Sequence, residues 1–174
     1  MSIILKRLTQ KHLILSFIMI VFLVPSIFVA CSDDGDAKEK EQWEKEVDIL
    51  KASVAPNKPL DNAQAAGYDN EFTGYRTQMG FHYLFGDLLD DKFEVNKPEV
   101  MIYAPDDNGI LKFVAVEYAT PIADLKNPQP APEGFTGSKD VWVINEEFSV
   151  WTLHVWVGKE NPSGIFDPHN PTLP

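Results

Sequence analysis

Two apolar runs rich in branched and aromatic residues flank Asp106-Asp107-Asn108-Gly109 in the stretch "PEVMIYAPDDNGILKFVAVEYATP", and no other feature narrows the fold so far. Asn-Gly between such runs is a strong hairpin signal, because both residues tolerate the positive φ that a tight turn demands. The pattern predicts antiparallel strands over 99–104 and 110–119. A calcium loop at 106–109 is the weaker reading, since an EF-hand needs oxygens at alternating positions along a longer loop.

Upstream, Trp43, Val47, Leu50 and Val54 recur at intervals of four, three and four within a charged segment. That spacing predicts a helix over 37–53 with one narrow apolar stripe, ended by Pro56 and Pro59. A second short helix is expected over 60–66, closed by Gly67. Further strands are expected over 79–85, 141–144 and 150–157. Residues 121–132, "PIADLKNPQPAP", read as an exposed proline-rich loop. The tail carries three Asx-Pro turn signals, with Ile165 and Phe166 as its anchors. Helices followed by mostly adjacent strands predict an α+β domain, an N-terminal helix or helices packed on an antiparallel β-sheet of about 4–6 strands. One globular domain over 37–174 suits the length. The pattern leaves the order of the strands open.

The first 30 residues have a different character. Lys6, Arg7 and Lys11 lead into an apolar segment over 13–30, broken only by Ser16, Pro25 and Ser26. This is the layout of a secretory signal peptide. The segment is also long enough for a spanning helix, but Pro25 and the small Ala30 favour cleavage. It stops at Cys31, the only cysteine in the chain. Phe28-Val29-Ala30-Cys31 resembles the lipobox of bacterial lipoproteins, with Phe28 where Leu is usual. The resemblance implies a thioether-linked diacylglycerol and an acylated N-terminus, palmitate among the acyl chains. More than one chain is needed for stable anchoring, at about 0.8 kcal/mol per buried methylene. Residues 31–36 then form an acidic tether, and the partner is a lipid bilayer. Ser32 replaces the Asp that resembles an inner-membrane retention signal, so the implied address is the cell envelope, at the outer membrane on its periplasmic or surface face.

Removing a leader with three basic and no acidic residues takes the formal charge from −11 to about −14. Nucleic acid is therefore excluded as a partner, since binding it needs a basic footprint. A cation or a basic partner is compatible. With Cys31 acylated, no thiol remains for a disulfide or a nucleophile. There is no Gly-x-Ser-x-Gly elbow, His-Glu-x-x-His, phosphate loop or dinucleotide fingerprint, so the hydrolase, zinc-protease and nucleotide classes lack support.

Three ionisable residues stand inside apolar strands: His82 in "MGFHYLF", Glu117 in "FVAVEYA" and His154 in "WTLHVWV". Burying such groups costs several kcal/mol unless they are paired. Strand alternation puts His154 on a face with Val150, Thr152 and Trp156, and Glu117 on a face with Phe113 and Ala115. If those faces meet, His82, Glu117 and His154 make a two-His, one-carboxylate set fit for a divalent metal such as Zn, Fe or Mn, with His169 as a further ligand. A metal-free packing network is the plainer alternative. Tyr83, Tyr103, Tyr118, Trp151 and Trp156 are candidates to line a ligand cleft, although aromatic residues on strands mostly pack.

The segments "AAGY", "MGFHYL", "PEVMIYAPDDNGILKFVAVEYATP" and "LHVWVGKENPSGIFDPHNP" also resemble a family of uncharacterised exported bacterial proteins. That resemblance singles out His82, Tyr83, Glu117, Tyr118, His154, Trp156, Asn161 and Pro162 and implies no activity or cofactor. Two functions follow: a non-catalytic envelope lipoprotein binding a small ligand, a cation or another envelope component, or a metal-assisted enzyme using the His/Glu/His cluster.

Overall fold

The computed structural model describes residues 39–174. Its elements run α1 (Gln42–Val54), α2 (Leu60–Ala65), β1 (Asn70–Glu71), β2 (Phe81–Leu84), β3 (Val100–Pro105), β4 (Leu111–Pro121), β5 (Val143–Asn145) and β6 (Val150–Val155). The six strands form one antiparallel sheet in the order β1-β2-β3-β4-β6-β5, and the fold is α+β. Among the described residues, no helix is long and apolar enough to cross a membrane.

The Asn-Gly hairpin is β3 and β4, and its turn differs from expectation in one respect. Only Gly109 takes a positive φ (78°); Asn108 does not. The Gly109 amide donates to the Asp106 carbonyl (2.8 Å), and the Asp106 amide to the Ile110 carbonyl (2.9 Å). Asp106 Oδ1 accepts from the amides of Asn108 and Ile110, both at 2.9 Å. Together these bonds close a three-residue loop with glycine at its left-handed position.

A register shift then sorts the side chains. Ile102 pairs with Ala115 but Tyr103 pairs with Phe113, which leaves Val114 as the extra residue of a β-bulge. Its freed carbonyl accepts from the amides of Gly158 (3.0 Å) and Lys159 (2.9 Å). The bulge corrects the expected face of Glu117: Ala115 stays beside it, whereas Phe113 joins the core on the other side.

On that other side, the stripe of α1 covers the sheet as its spacing predicted. Val47, Leu50 and Val54 are buried against Tyr103, Val116, Tyr118 and Leu153. Phe166 from the tail enters the same core, with Ile165 packed against it. The helix is shorter than expected, starting at Gln42. The loop after β4 is less exposed than expected, because Ile122 and Phe135 are buried in it. The opposite face carries Val100, Ile102, Ala104, Ala115 and Trp156, roofed by Leu173 near the chain end and by Phe72. Both faces are thus covered from within Lys38–Pro174, which forms one compact unit.

Gly80 sets the approach of β2 to β3. Its φ is +114°, and a Cβ there would lie 2.6 Å from the Tyr103 carbonyl oxygen. Gly80→Ala is therefore expected to cost about 1–3 kcal/mol, read as a lower urea midpoint with an unchanged m-value.

Candidate functional site

Glu117 sits on β4 near the middle of the sheet, where burial gives a carboxylate little to exchange for water. In register it pairs with Val100 on β3 and with His154 on β6. His82 on β2 pairs with Ile102, so it reaches Glu117 diagonally across β3. Antiparallel alternation puts all three side chains on the face away from α1. They are buried, with exposures of 3 % for His82, 6 % for Glu117 and 4 % for His154. His82 Nε2 lies 3.3 Å, and His154 Nε2 3.6 Å, from Glu117 Oε2. The imidazole planes stand nearly perpendicular, their centroids 5.8 Å apart.

These contacts join neutral groups rather than ions. Burial, assisted by the charge of Glu99, pushes the Glu117 carboxyl up to about 8. Burial pulls His82 down to about 4, with the Arg76 charge adding to it and the nearby Gly80 backbone opposing it. His154 falls to about 3, from burial first and then from His82 and His169. Near neutral pH the site therefore holds a carboxylic acid between two uncharged imidazoles.

The contacts of His82 admit a tautomer suited to its position. Thr73 Oγ1 lies 2.7 Å from the Gly74 carbonyl and 3.1 Å from His82 Nδ1, so when its one hydrogen goes to Gly74 its oxygen accepts from His82 Nδ1–H. In that tautomer Nε2 keeps a lone pair facing Glu117, whose acid proton it can receive. That proton cannot also serve the second histidine. His154 Nε2 is one of three buried side-chain polar atoms without a partner among the described residues.

A cavity of about 640 Å³ opens over this trio. Its buried lining includes His82, Glu117, Ala119, Val100, Thr152 and His154. Leu89, Val143 and Phe148, each 37–40 % exposed, stand at its rim. Phe148 packs edge-on against Phe72, which also lines it, at 4.9 Å. Arg76 is a lining residue already paired with Glu147, at 2.8 and 2.9 Å.

The remaining candidates fall elsewhere. Tyr83 and Tyr118 lie on the α1 side, because neighbours of His82 and Glu117 in a strand point the opposite way. Tyr118 donates to the Val95 carbonyl (2.6 Å), and Tyr83 packs on Tyr103. Neither reaches the cavity. Trp156 shares the site's face and stacks on His154 at 6.2 Å, but its Nε1–H is held by the Asp167 carbonyl (2.6 Å) and it does not line the cavity. Of the other aromatic candidates, Tyr103 is in the core and Trp151 donates to the Gln129 carbonyl (3.0 Å). His169 lines the cavity but does not belong to the trio whose ligand atoms lie within 4.8 Å of one another. Asn161 braces the tail, its Nδ2 donating to the His169 carbonyl (3.0 Å). Cys31 and the leader lie outside the described residues.

Sequence reasoning missed Thr73 and Glu99, and placed Thr152 on the face of His154 without giving it a part in the site. Thr152 lies two residues before His154 on the same face; its hydroxyl donates to the Val143 carbonyl (3.4 Å), and its nearness to the Glu117 carboxyl works against the upward push of burial. Glu99 is buried, accepts from the Ala119 amide (3.0 Å) and is pushed up to about 7 by burial. Comparison with protein-family models, with curated proteins and with solved structures finds no match to the chain.

Proposed function

We propose that this is a lipid-anchored envelope protein whose folded domain binds a small, mostly apolar molecule in the cavity above His82, Glu117 and His154. The observation that carries the reading is the cavity itself. Its volume of about 640 Å³ falls in the range of roughly 300–1,000 Å³ common to small-molecule sites. Apolar walls and a few convergent buried polar groups are what such sites use for affinity and orientation. A neutral acid and two neutral imidazoles also suit an uncharged hydroxyl, carbonyl or amide on the ligand.

Titration of the soluble chain from Ser32 with the neutral fluorophore N-phenyl-1-naphthylamine tests the pocket. Saturable binding near one equivalent is expected, weakened roughly 3–10-fold in Phe148→Ala through loss of apolar contact at the rim. A fluorescence rise without saturation would argue against a formed site. The anchor rests on the lipobox resemblance at Cys31. Radioactive palmitate should label the wild-type protein in bacterial cells and fail to label Cys31→Ser, which keeps its leader. Equal labelling of both would sink the lipoprotein reading.

A further inference from the structure

Three donor atoms that can act together on one cation converge in this site, and two of its features make more sense with a metal than without. We propose that His82 Nε2, Glu117 Oε2 and His154 Nε2 bind a first-row divalent transition metal of the zinc type, with one coordination position open to the cavity. The inference stands apart from the apolar ligand, since metal can be held with the cavity empty of any organic molecule.

The spacing fits. Ligands at about 2.0–2.1 Å from a tetrahedral zinc are about 3.4 Å apart. The two nitrogens stand 3.3 and 3.6 Å from the carboxylate oxygen, and all three atoms lie within 4.8 Å of one another. Little movement is then needed to close the set around an ion, whose entry releases the Glu117 proton to solvent, and the side chains spring from β2, β4 and β6 of one hydrogen-bonded sheet.

The donors are also presented correctly. A metal-bound imidazole must offer a bare nitrogen and usually donates its other N–H to an oxygen nearby, which fixes the ring. His82 has that oxygen in place: Thr73 Oγ1 stands 3.1 Å from Nδ1, ready to accept its N–H when Nε2 is bare. His154 Nε2 is buried and unpartnered, and an unsatisfied buried polar atom is costly in any fold. A metal bond would satisfy it.

Two nitrogens and one oxygen select the metal class. Calcium takes six to eight oxygens and magnesium keeps several waters, whereas imidazole suits zinc, iron, cobalt and their neighbours. Three protein ligands leave a position for water or a cavity-bound donor, the open arrangement found in sites that exchange ligands rather than in purely structural ones.

The test uses the full-length protein in detergent, treated with a chelator, dialysed and titrated calorimetrically with Zn2+. One equivalent is expected to bind. Glu117→Gln and His154→Ala should each lose more than the 10–100-fold that loss of an outer-shell partner costs. Asp107→Asn, in the exposed acidic turn, should bind as the wild type does. X-ray absorption at the zinc edge of the wild-type protein keeps the test independent of how the variants fold. It should show two imidazole nitrogens at about 2.0–2.1 Å. Zinc surrounded by oxygen alone, or affinity unchanged in both site variants, or binding lost only in Asp107→Asn, would overturn the assignment.

Discussion

In the presence of a chelator, the domain is expected to be most stable between about pH 4.5 and 6.5 and to lose stability on either side. The folded state holds the Glu117 and Glu99 carboxyls at about 8 and about 7, against an ordinary 4.5. Each raised carboxyl withdraws stability as pH climbs from 4.5 through its folded value, because the unfolded chain has already released the proton. His82 and His154, lowered from 6.5 to about 4 and about 3, act in the other direction. They withdraw stability as pH falls below 6.5, because the unfolded chain takes up protons that the folded one refuses. Between 4.5 and 6.5 the two acids and the two bases oppose each other and the slope vanishes. Outside that window each uncompensated group contributes about 1.4 kcal/mol per pH unit. Several kcal/mol are therefore lost by pH 8 on one side and by pH 3 on the other. Urea unfolding across this range measures the profile. Glu117→Gln should flatten much of the alkaline limb, since the amide keeps a donor toward His82 without a charge to desolvate. Stability that rises steadily from pH 5 to 8 in the wild-type domain would show that the carboxyls ionise freely.

The second large effect concerns the joint between α1 and the sheet. Leu50 has no exposed surface and lies among the residues of the main core, whereas its neighbour Ile49 is 53 % exposed. Leu50→Ala is expected to cost about 2–5 kcal/mol, the transfer of the removed atoms plus the cavity they leave. Against a total of about 5–15 kcal/mol for a domain, that is a substantial share. Ile49→Ala should stay within about 0.5 kcal/mol. Equal losses from the two, by denaturant unfolding, would mean that the helix does not dock through this stripe.

Much of the architecture was legible because it is local. The stripe of α1 and the hairpin of β3 and β4 are each written within a few turns or strand lengths; the hairpin formed near its expected bounds, and the helix near its expected end but starting later, at Gln42. β1 was not seen, since two residues carry no period. The bulge at Val114 was invisible for a related reason: no glycine marks it, and its freed carbonyl is satisfied by residues some forty positions downstream. The site was half legible. His82, Glu117 and His154 announced themselves as ionisable residues in apolar strands, but their meeting depends on β6 lying beside β4 and β2 lying two strands away, an order set by tertiary packing. Tyr83 and Tyr118 were candidates as aromatic residues and through the family resemblance, but each adjoins a site residue in its strand, and a one-residue step in a strand reverses the face. Thr73 could not be found from the sequence, because what matters is its approach to a histidine nine positions away after the chain has turned back through Arg76 and Gly80.

The convergence of two neutral imidazoles on one buried carboxyl is the claim on which the rest depends. Long-range nitrogen–proton correlation NMR of the histidine rings in the soluble chain from Ser32, followed from pH 4.5 to 8 with and without one equivalent of Zn2+, tests it most directly. The expected result is two rings, His82 and His154, that stay neutral down to pH 5, with His82 protonated at Nδ1 and both Nε2 signals displaced by zinc. Rings that titrate near 6.5 and ignore the metal would contradict it.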